Sequence, residues 1–141
     1  MIDLQSLDAK SLEEQFAKEL QKADEQPIWV DKAKKMISAL LSVLIPLRDS
    51  DRLFTPELKP SPKLDEELFL SWCDLSCMKV LAFELERQNS TQKPSIQIEE
   101  LATYLASYGV DLQDELKDFP IAHYNLHMLI KTVIKRLFYA K

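Results

Sequence analysis

The two cysteines and the two histidines of the chain are spaced in a way that could hold a metal ion. Cys73 and Cys77 are four residues apart, and so are His123 and His127. On a helix this spacing puts both members of a pair on one face, so two facing helices could offer zinc four ligands. Free cysteine, however, is also one of the most commonly buried residues. We favour cysteines that fill the core and predict no metal or other cofactor, because structural zinc usually takes such ligand pairs from loops.

The last eleven residues are basic and contain no acidic side chain. The candidate partner-binding residues of this segment are Lys131, Lys135, Arg136 and Tyr139. Positive charges near a helix C-terminus also complement the helix dipole, and this structural interpretation competes with binding. A phosphate-binding patch is the less favoured interpretation. The formal net charge of -5 provides no general attraction to nucleic acid or to an anionic membrane.

Glycine is almost absent, with one residue in 141. A phosphate-binding loop and a dinucleotide-binding fingerprint both need several glycines, so the sequence predicts neither. No local pattern suggests a Ser-His-Asp or Cys-His arrangement, although residues that are far apart in the sequence can form such an arrangement in the folded protein. We therefore expect a protein that is not an enzyme and that binds other macromolecules.

The same scarcity of glycine predicts the fold class. Tight hairpins need residues that tolerate positive φ, whereas helices joined by Pro, Ser and Asp need few of them. We predict an all-α fold, a single compact bundle of about five to seven helices that forms one domain over residues 1–141. The Lys-Pro-Ser-Pro segment at 59–62 should be an exposed connection within it.

Apolar residues repeat every three to four positions and locate the helices. The first is expected over about residues 8–23, with a capping box formed by Ser11 and Glu14. The second, with the strongest pattern, begins at Pro27 and should kink or end at Pro46. Its predicted core face contains Trp29, Ala33, Met36, Ile37, Leu40, Leu41 and Leu44.

The sequence pattern of the second half of the chain predicts shorter helices. Thr55 and Pro56 should begin a short helix or turn. The helical stretch over 64–88 is either one central, buried helix or two short helices that are separated by a break near 71–76, and we favour the break. The next helix is expected to stop at Gly109, where a left-handed residue is wanted. A helical turn over 112–116 and a last helix from 118 complete the bundle.

One segment resembles a known family. It begins with Pro27 and Trp29, continues through an Ala/Leu-rich helix to Arg48 and Asp49, and reaches Leu-Phe-Thr-Pro-Glu-Leu at 53–58. This order resembles the all-alpha domain of type IV coupling proteins, the hexameric ATPases of type IV secretion and conjugation, mainly over residues 27–85. The 59–62 segment stands as an insertion relative to that pattern.

The resemblance implies a recognition domain at the cytoplasmic entrance of a secretion channel. Its partners would be substrate proteins, relaxase–DNA complexes or adaptors, and the domain alone would be a monomer. The family's nucleotide motifs lie outside this domain. The alternative is a free-standing helical adaptor, chaperone or regulator that binds a partner helix in an apolar groove.

The expected location is the cytoplasm, or the cytoplasmic face of the inner membrane if the chain is part of a larger protein. Two cysteines in one apolar stretch are typical of a reducing compartment. No run of 18 apolar residues is present, so we expect no direct membrane insertion.

Overall fold

Helices account for all the regular structure in the part of the chain that is described. The computed structural model describes residues 3–22, 27–92, 95–107, 131–132 and 134–135. Its five helices are α1 (Ala9–Lys22), α2 (Pro27–Asp49), α3 (Glu66–Ser71), α4 (Leu75–Asn89) and α5 (Glu99–Ala106). The all-α prediction is therefore confirmed. No helix within these ranges is long and apolar enough to cross a membrane.

The long helix α2 lies at the centre of the structure. Its predicted core residues Ala33, Met36, Ile37, Leu40, Leu41 and Leu44 are all buried. The helix is buried on more than that one face, because Ala39, Val43, Ile45 and Leu47 are also inaccessible to solvent. The side chain of Trp29 lies outside the described set. Helix α1 packs on α2, and α5 packs on both α2 and α4.

Two aromatic pairs join α3 and the residues beside it to α1 and to the loop after α2. Phe16 of α1 stacks on Phe69 of α3, with ring centroids 5.4 Å apart. Phe54 meets Trp72 edge to face at 5.6 Å. One hydrophobic cluster includes buried residues on both sides of the 59–62 connection, from Leu4 to Ile134.

Helix α2 continues through Pro46 and ends at Asp49. Pro46 can form no backbone hydrogen bond to the preceding turn, but Ile45 and Leu47 on either side of it are buried. Burial of these two side chains offsets the missing bond. Of the two predicted alternatives, a kink or an end of the helix at Pro46, the end is wrong.

Two residues other than glycine adopt the left-handed backbone conformation where the chain turns. Asp51 has φ of 56° at the end of α2, where the Arg52 N–H bonds the carbonyl of Leu47 at 2.8 Å. This is the bond of a helix C-terminal Schellman motif. Leu58 has φ of 63° in the turn that follows Thr55, and its side chain is 51% exposed. Positions that ordinarily favour glycine are thus occupied by Asp and Leu.

Segment 55–58 forms a turn, one of the two predicted alternatives. The Leu58 N–H bonds the Thr55 carbonyl, and the Thr55 N–H bonds the Lys59 carbonyl, both at 2.8 Å. A single antiparallel bridge joins Phe54 and Pro60. In the connection that follows, Lys59, Pro60 and Pro62 are exposed and Ser61 is half-buried.

The break predicted within 71–76 is confirmed, because α3 ends at Ser71 and α4 begins at Leu75. After α4, the Asn89 side chain bonds both backbone groups of Ile96, at 2.7 and 2.8 Å, and so fixes the polar loop between α4 and α5. Helix α5 ends at Ala106. The predicted stop at Gly109, the turn over 112–116 and the start of the last helix at 118 lie outside the described residues.

The predicted capping box at the start of α1 is wrong. The helix begins at Ala9, so Ser11 is already in its first turn. The carboxylate of Asp8 accepts the Ser11 N–H at 2.8 Å. Asp8 precedes the first helical residue and is therefore in the position that caps a helix N-terminus.

This cap predicts a pH dependence of stability. The Ser11 N–H, followed by the Ser11 hydroxyl, holds the pKa of Asp8 below its usual value. A carboxylate with a lowered folded-state pKa stabilises the protein above its unfolded pKa, and this stabilisation is lost as pH falls through the folded pKa. Between about pH 5 and pH 2, wild type should lose thermal stability relative to Asp8→Asn, whose amide caps without titrating. At pH 7, a larger loss for Ser11→Ala than for Asp8→Ala would contradict the Asp8 cap.

The left-handed conformation of Leu58 predicts that a glycine variant is more stable than an alanine variant at this position. A residue with a Cβ costs roughly 1–2 kcal/mol in this region, and glycine avoids that cost. Leu58→Gly and Leu58→Ala both remove the exposed side chain, but only Ala keeps the steric cost. Leu58→Gly should be about 1 kcal/mol more stable than Leu58→Ala in denaturant unfolding. The opposite order would contradict the left-handed conformation.

Candidate protein-binding site

A groove between α2 and α5 has a volume of about 600 Å³. From α2 it is lined by Lys34, Lys35, Ser38 and Ala39. From α5 it is lined by Glu99, Glu100, Thr103, Tyr104 and Ser107. We call it the α2–α5 groove.

Small side chains on α2 create the depression. Ser38 and Ala39 stand where the larger apolar residues of this helix would fill the space between the helices. Ala39 and Tyr104 are buried, and they give the groove an apolar floor. The Ser38 hydroxyl donates a hydrogen bond to the Glu100 carboxylate, which ties the two helices together at the groove.

The walls of the groove carry opposite charges. Lys34 and Lys35 are exposed on α2, whereas Glu99 and Glu100 are exposed on α5. Lys35 pairs with Asp31 of its own helix at 3.4 Å. No ion pair among the described residues joins one wall to the other.

A second, smaller cavity of about 260 Å³ lies between α1 and α2. It shares Lys34 and Ser38 with the α2–α5 groove and extends to Glu13 and Ala17 of α1. The two depressions together form a surface that spans three helices.

The sequence does not predict this groove. Lys34 and Lys35 lie outside the apolar periodicity that predicts the core face of α2. Glu99 and Glu100 are in the first turn of α5, where carboxylates also complement the helix dipole. Ser38 is an available signal in the sequence, as a small polar residue beside the apolar face of α2.

The structure brings three of the predicted site residues together around Asp74. Lys131 Nζ lies 3.2 and 3.3 Å from the two carboxylate oxygens of Asp74. Cys73 and Cys77 flank this ion pair, and both charges influence the pKa of each thiol. The ammonium of Lys131 is therefore paired with a carboxylate of the same chain, in an ion pair that is partly exposed to solvent. Lys135 is helical and exposed, while Arg136 and Tyr139 lie outside the described residues.

The two thiols are in environments that disfavour the thiolate. Cys73 is fully buried, and its Sγ donates to the Phe69 carbonyl at 3.4 Å. Burial raises the pKa of Cys73 strongly, and burial also raises that of the half-buried Cys77. His123 and His127 lie outside the described residues. Within the described residues no cluster of three or more His, Cys, Asp or Glu could hold a metal ion.

Comparison of the chain with protein-family models, with curated proteins and with solved structures finds no match. The resemblance of residues 27–85 to the coupling-protein domain stays a prediction made from the residues themselves.

Thiol labelling tests the assignment of the two cysteines. In the native protein at pH 7, a thiol-specific disulfide reagent should modify Cys77 slowly and Cys73 only after unfolding, because burial raises the pKa of both thiols. Modification of Cys77 should accelerate as pH rises. Cys77→Ser should abolish the native-state reaction, whereas Cys73→Ser should leave it intact. Equal rates for both thiols, or stoichiometric zinc in the purified protein, would contradict their assignment as core residues.

Proposed function

We propose that this chain is a non-catalytic recognition domain of a type IV secretion or conjugation coupling ATPase. It binds substrate proteins, relaxase–DNA complexes or adaptors at the cytoplasmic entrance of the channel. The observation that carries the binding function is the α2–α5 groove, with its apolar floor and charged walls. The secretion setting is supported by the resemblance that begins at Pro27 and Trp29.

The chemistry of the described side chains supports binding over catalysis. Both thiols have raised pKa values and are therefore poor nucleophiles near neutral pH. Lys131, one of the predicted partner-binding residues, forms an ion pair with Asp74. The acids of the groove are on the surface, where Glu100 is held by Ser38.

A protein is the favoured direct partner. The net charge of -5 opposes direct binding of nucleic acid, so DNA would reach the domain through a relaxase that is bound to it. An apolar floor flanked by charged walls is the arrangement that receives an amphipathic helix.

The groove also supports a second candidate function. A free-standing adaptor or chaperone would use the same surface to hold a partner helix. The two candidates differ in gene structure. A coupling-protein domain is encoded between the two halves of a nucleotide-binding domain, and an adaptor is not. Sequencing the gene with its surroundings separates them.

Site-specific photo-crosslinking tests the proposed function in cells. A photoreactive amino acid at Thr103, which is exposed in the groove, should trap a protein that the secretion or conjugation machine exports, or its adaptor. The same amino acid at Glu86, exposed on α4 and not part of the groove, is the matched control. The Trp side chain of Thr103→Trp should fill the groove and exclude the partner's contacts there. Binding of the trapped protein should fall about tenfold, since loss of a central interface contact costs more than ~1 kcal/mol.

Two readouts must agree for the proposal to stand. Transfer of the trapped substrate should fall in Thr103→Trp cells and stay normal in Glu86→Trp cells. If the Thr103 probe traps the same proteins as the Glu86 probe, or if Thr103→Trp leaves transfer unchanged, the proposed function is wrong.

A further inference from the structure

The two walls of the α2–α5 groove have opposite charges, and each wall includes a charged side chain without an ion-pair partner among the described residues. Lys34 has no ion-pair partner among the described residues, and Glu99 on the facing wall has none either. Their charges are therefore open to a ligand that lies between the helices. Like charges placed against these walls would be repelled, and opposite charges would be attracted.

We propose that the α2–α5 groove binds an amphipathic partner helix with acidic residues on one flank and basic residues on the other, and that this charge pattern sets the direction in which the helix binds. The inference rests on the proposed protein-binding function and deepens it. The acidic flank faces Lys34 and Lys35, and the basic flank faces Glu99 and Glu100. The apolar stripe between the flanks lies on Ala39 and Tyr104.

Geometry links the flanks to direction. A helix in a groove presents one flank to each wall, and reversing the helix end to end exchanges the flanks. A helix with unlike flanks therefore matches the two charged walls in one direction only. A helix with the flanks interchanged matches them in the opposite direction.

The fixed separation of the walls makes this discrimination possible. The hydrogen bond from Ser38 to Glu100 holds α5 against α2 beside the groove. Glu100 is thereby oriented before any ligand arrives, which reduces the entropy lost on binding. Lys35 is likewise restrained by Asp31.

Three synthetic peptides of about 18 residues test the proposal on the 141-residue chain. All have the same composition and an apolar stripe at helical spacing. The first has Glu on one flank and Lys on the other, the second has these flanks interchanged, and the third mixes both charges on each flank. A spin label at the peptide N-terminus reports direction, because it broadens the amide NMR signals nearest to it.

The first two peptides should bind equally well but in opposite directions. The label should broaden signals near Glu99 with one peptide and near Ser107, at the other end of α5, with the other. The mixed peptide should bind about three- to tenfold more weakly, as expected for the loss of a few exposed charge pairs.

A charge reversal on one wall provides a test whose expected result is tighter binding, which a misfolded variant would not show. The double variant Lys34→Glu and Lys35→Glu makes both walls acidic, and it should bind a fourth peptide, which has Lys on both flanks, more tightly than wild type does. Lys59→Glu with Lys63→Glu makes the same change of net charge at exposed positions that do not line the groove. This control should behave like wild type toward all the peptides.

The outcomes separate this inference from the proposed function. Equal binding of all three peptides, binding of none, or a label position that does not reverse would overturn the inference. The crosslinking result at Thr103 would be unaffected by any of these. If the peptides behave as expected while crosslinking traps no exported protein or adaptor, the groove keeps its charge selectivity and the secretion function is wrong.

Discussion

Burial of α2 is the constraint on which the rest of the structure depends. Between Ala33 and Leu47 this helix has apolar side chains on several faces. Other elements must cover these faces, because leaving the apolar side chains in contact with water would cost free energy. Helices α1 and α5 cover it directly. Its exposed charges are confined to its ends, with Lys34 and Lys35 near the start. Helix α4 is placed in turn by its packing on α5.

The groove is a by-product of how that covering is achieved. Helix α5 has 8 residues whereas α2 has 23, so α5 can cover only part of one side. Where α2 carries Ser38 and Ala39, the space between the helices is not filled. The charges around this space come from the exposed start of α2 and the first turn of α5. Packing and helix-end electrostatics thus produce an apolar floor with oppositely charged walls.

Several polar side chains are used to fix the chain internally. Arg48 donates to the carbonyls of Leu4 and Leu7 at 2.9 and 2.7 Å, which holds the N-terminal segment on the end of α2. The Asn89 side chain fixes the loop before α5, and Lys131 is held by Asp74. A basic or polar residue that looks available in the sequence can therefore already have a partner inside the fold.

The sequence by itself determined the all-α class, the core face of α2 and the break between α3 and α4, because local periodicity and glycine content decide these features. It misplaced the cap of α1, since Asp8 and Ser11 are both good capping residues and only the start of the helix chooses between them. The α2–α5 groove and the Lys131–Asp74 pair join residues that are more than 50 positions apart. Only the tertiary structure could decide them, because side chains at such separations meet through packing and not through local sequence.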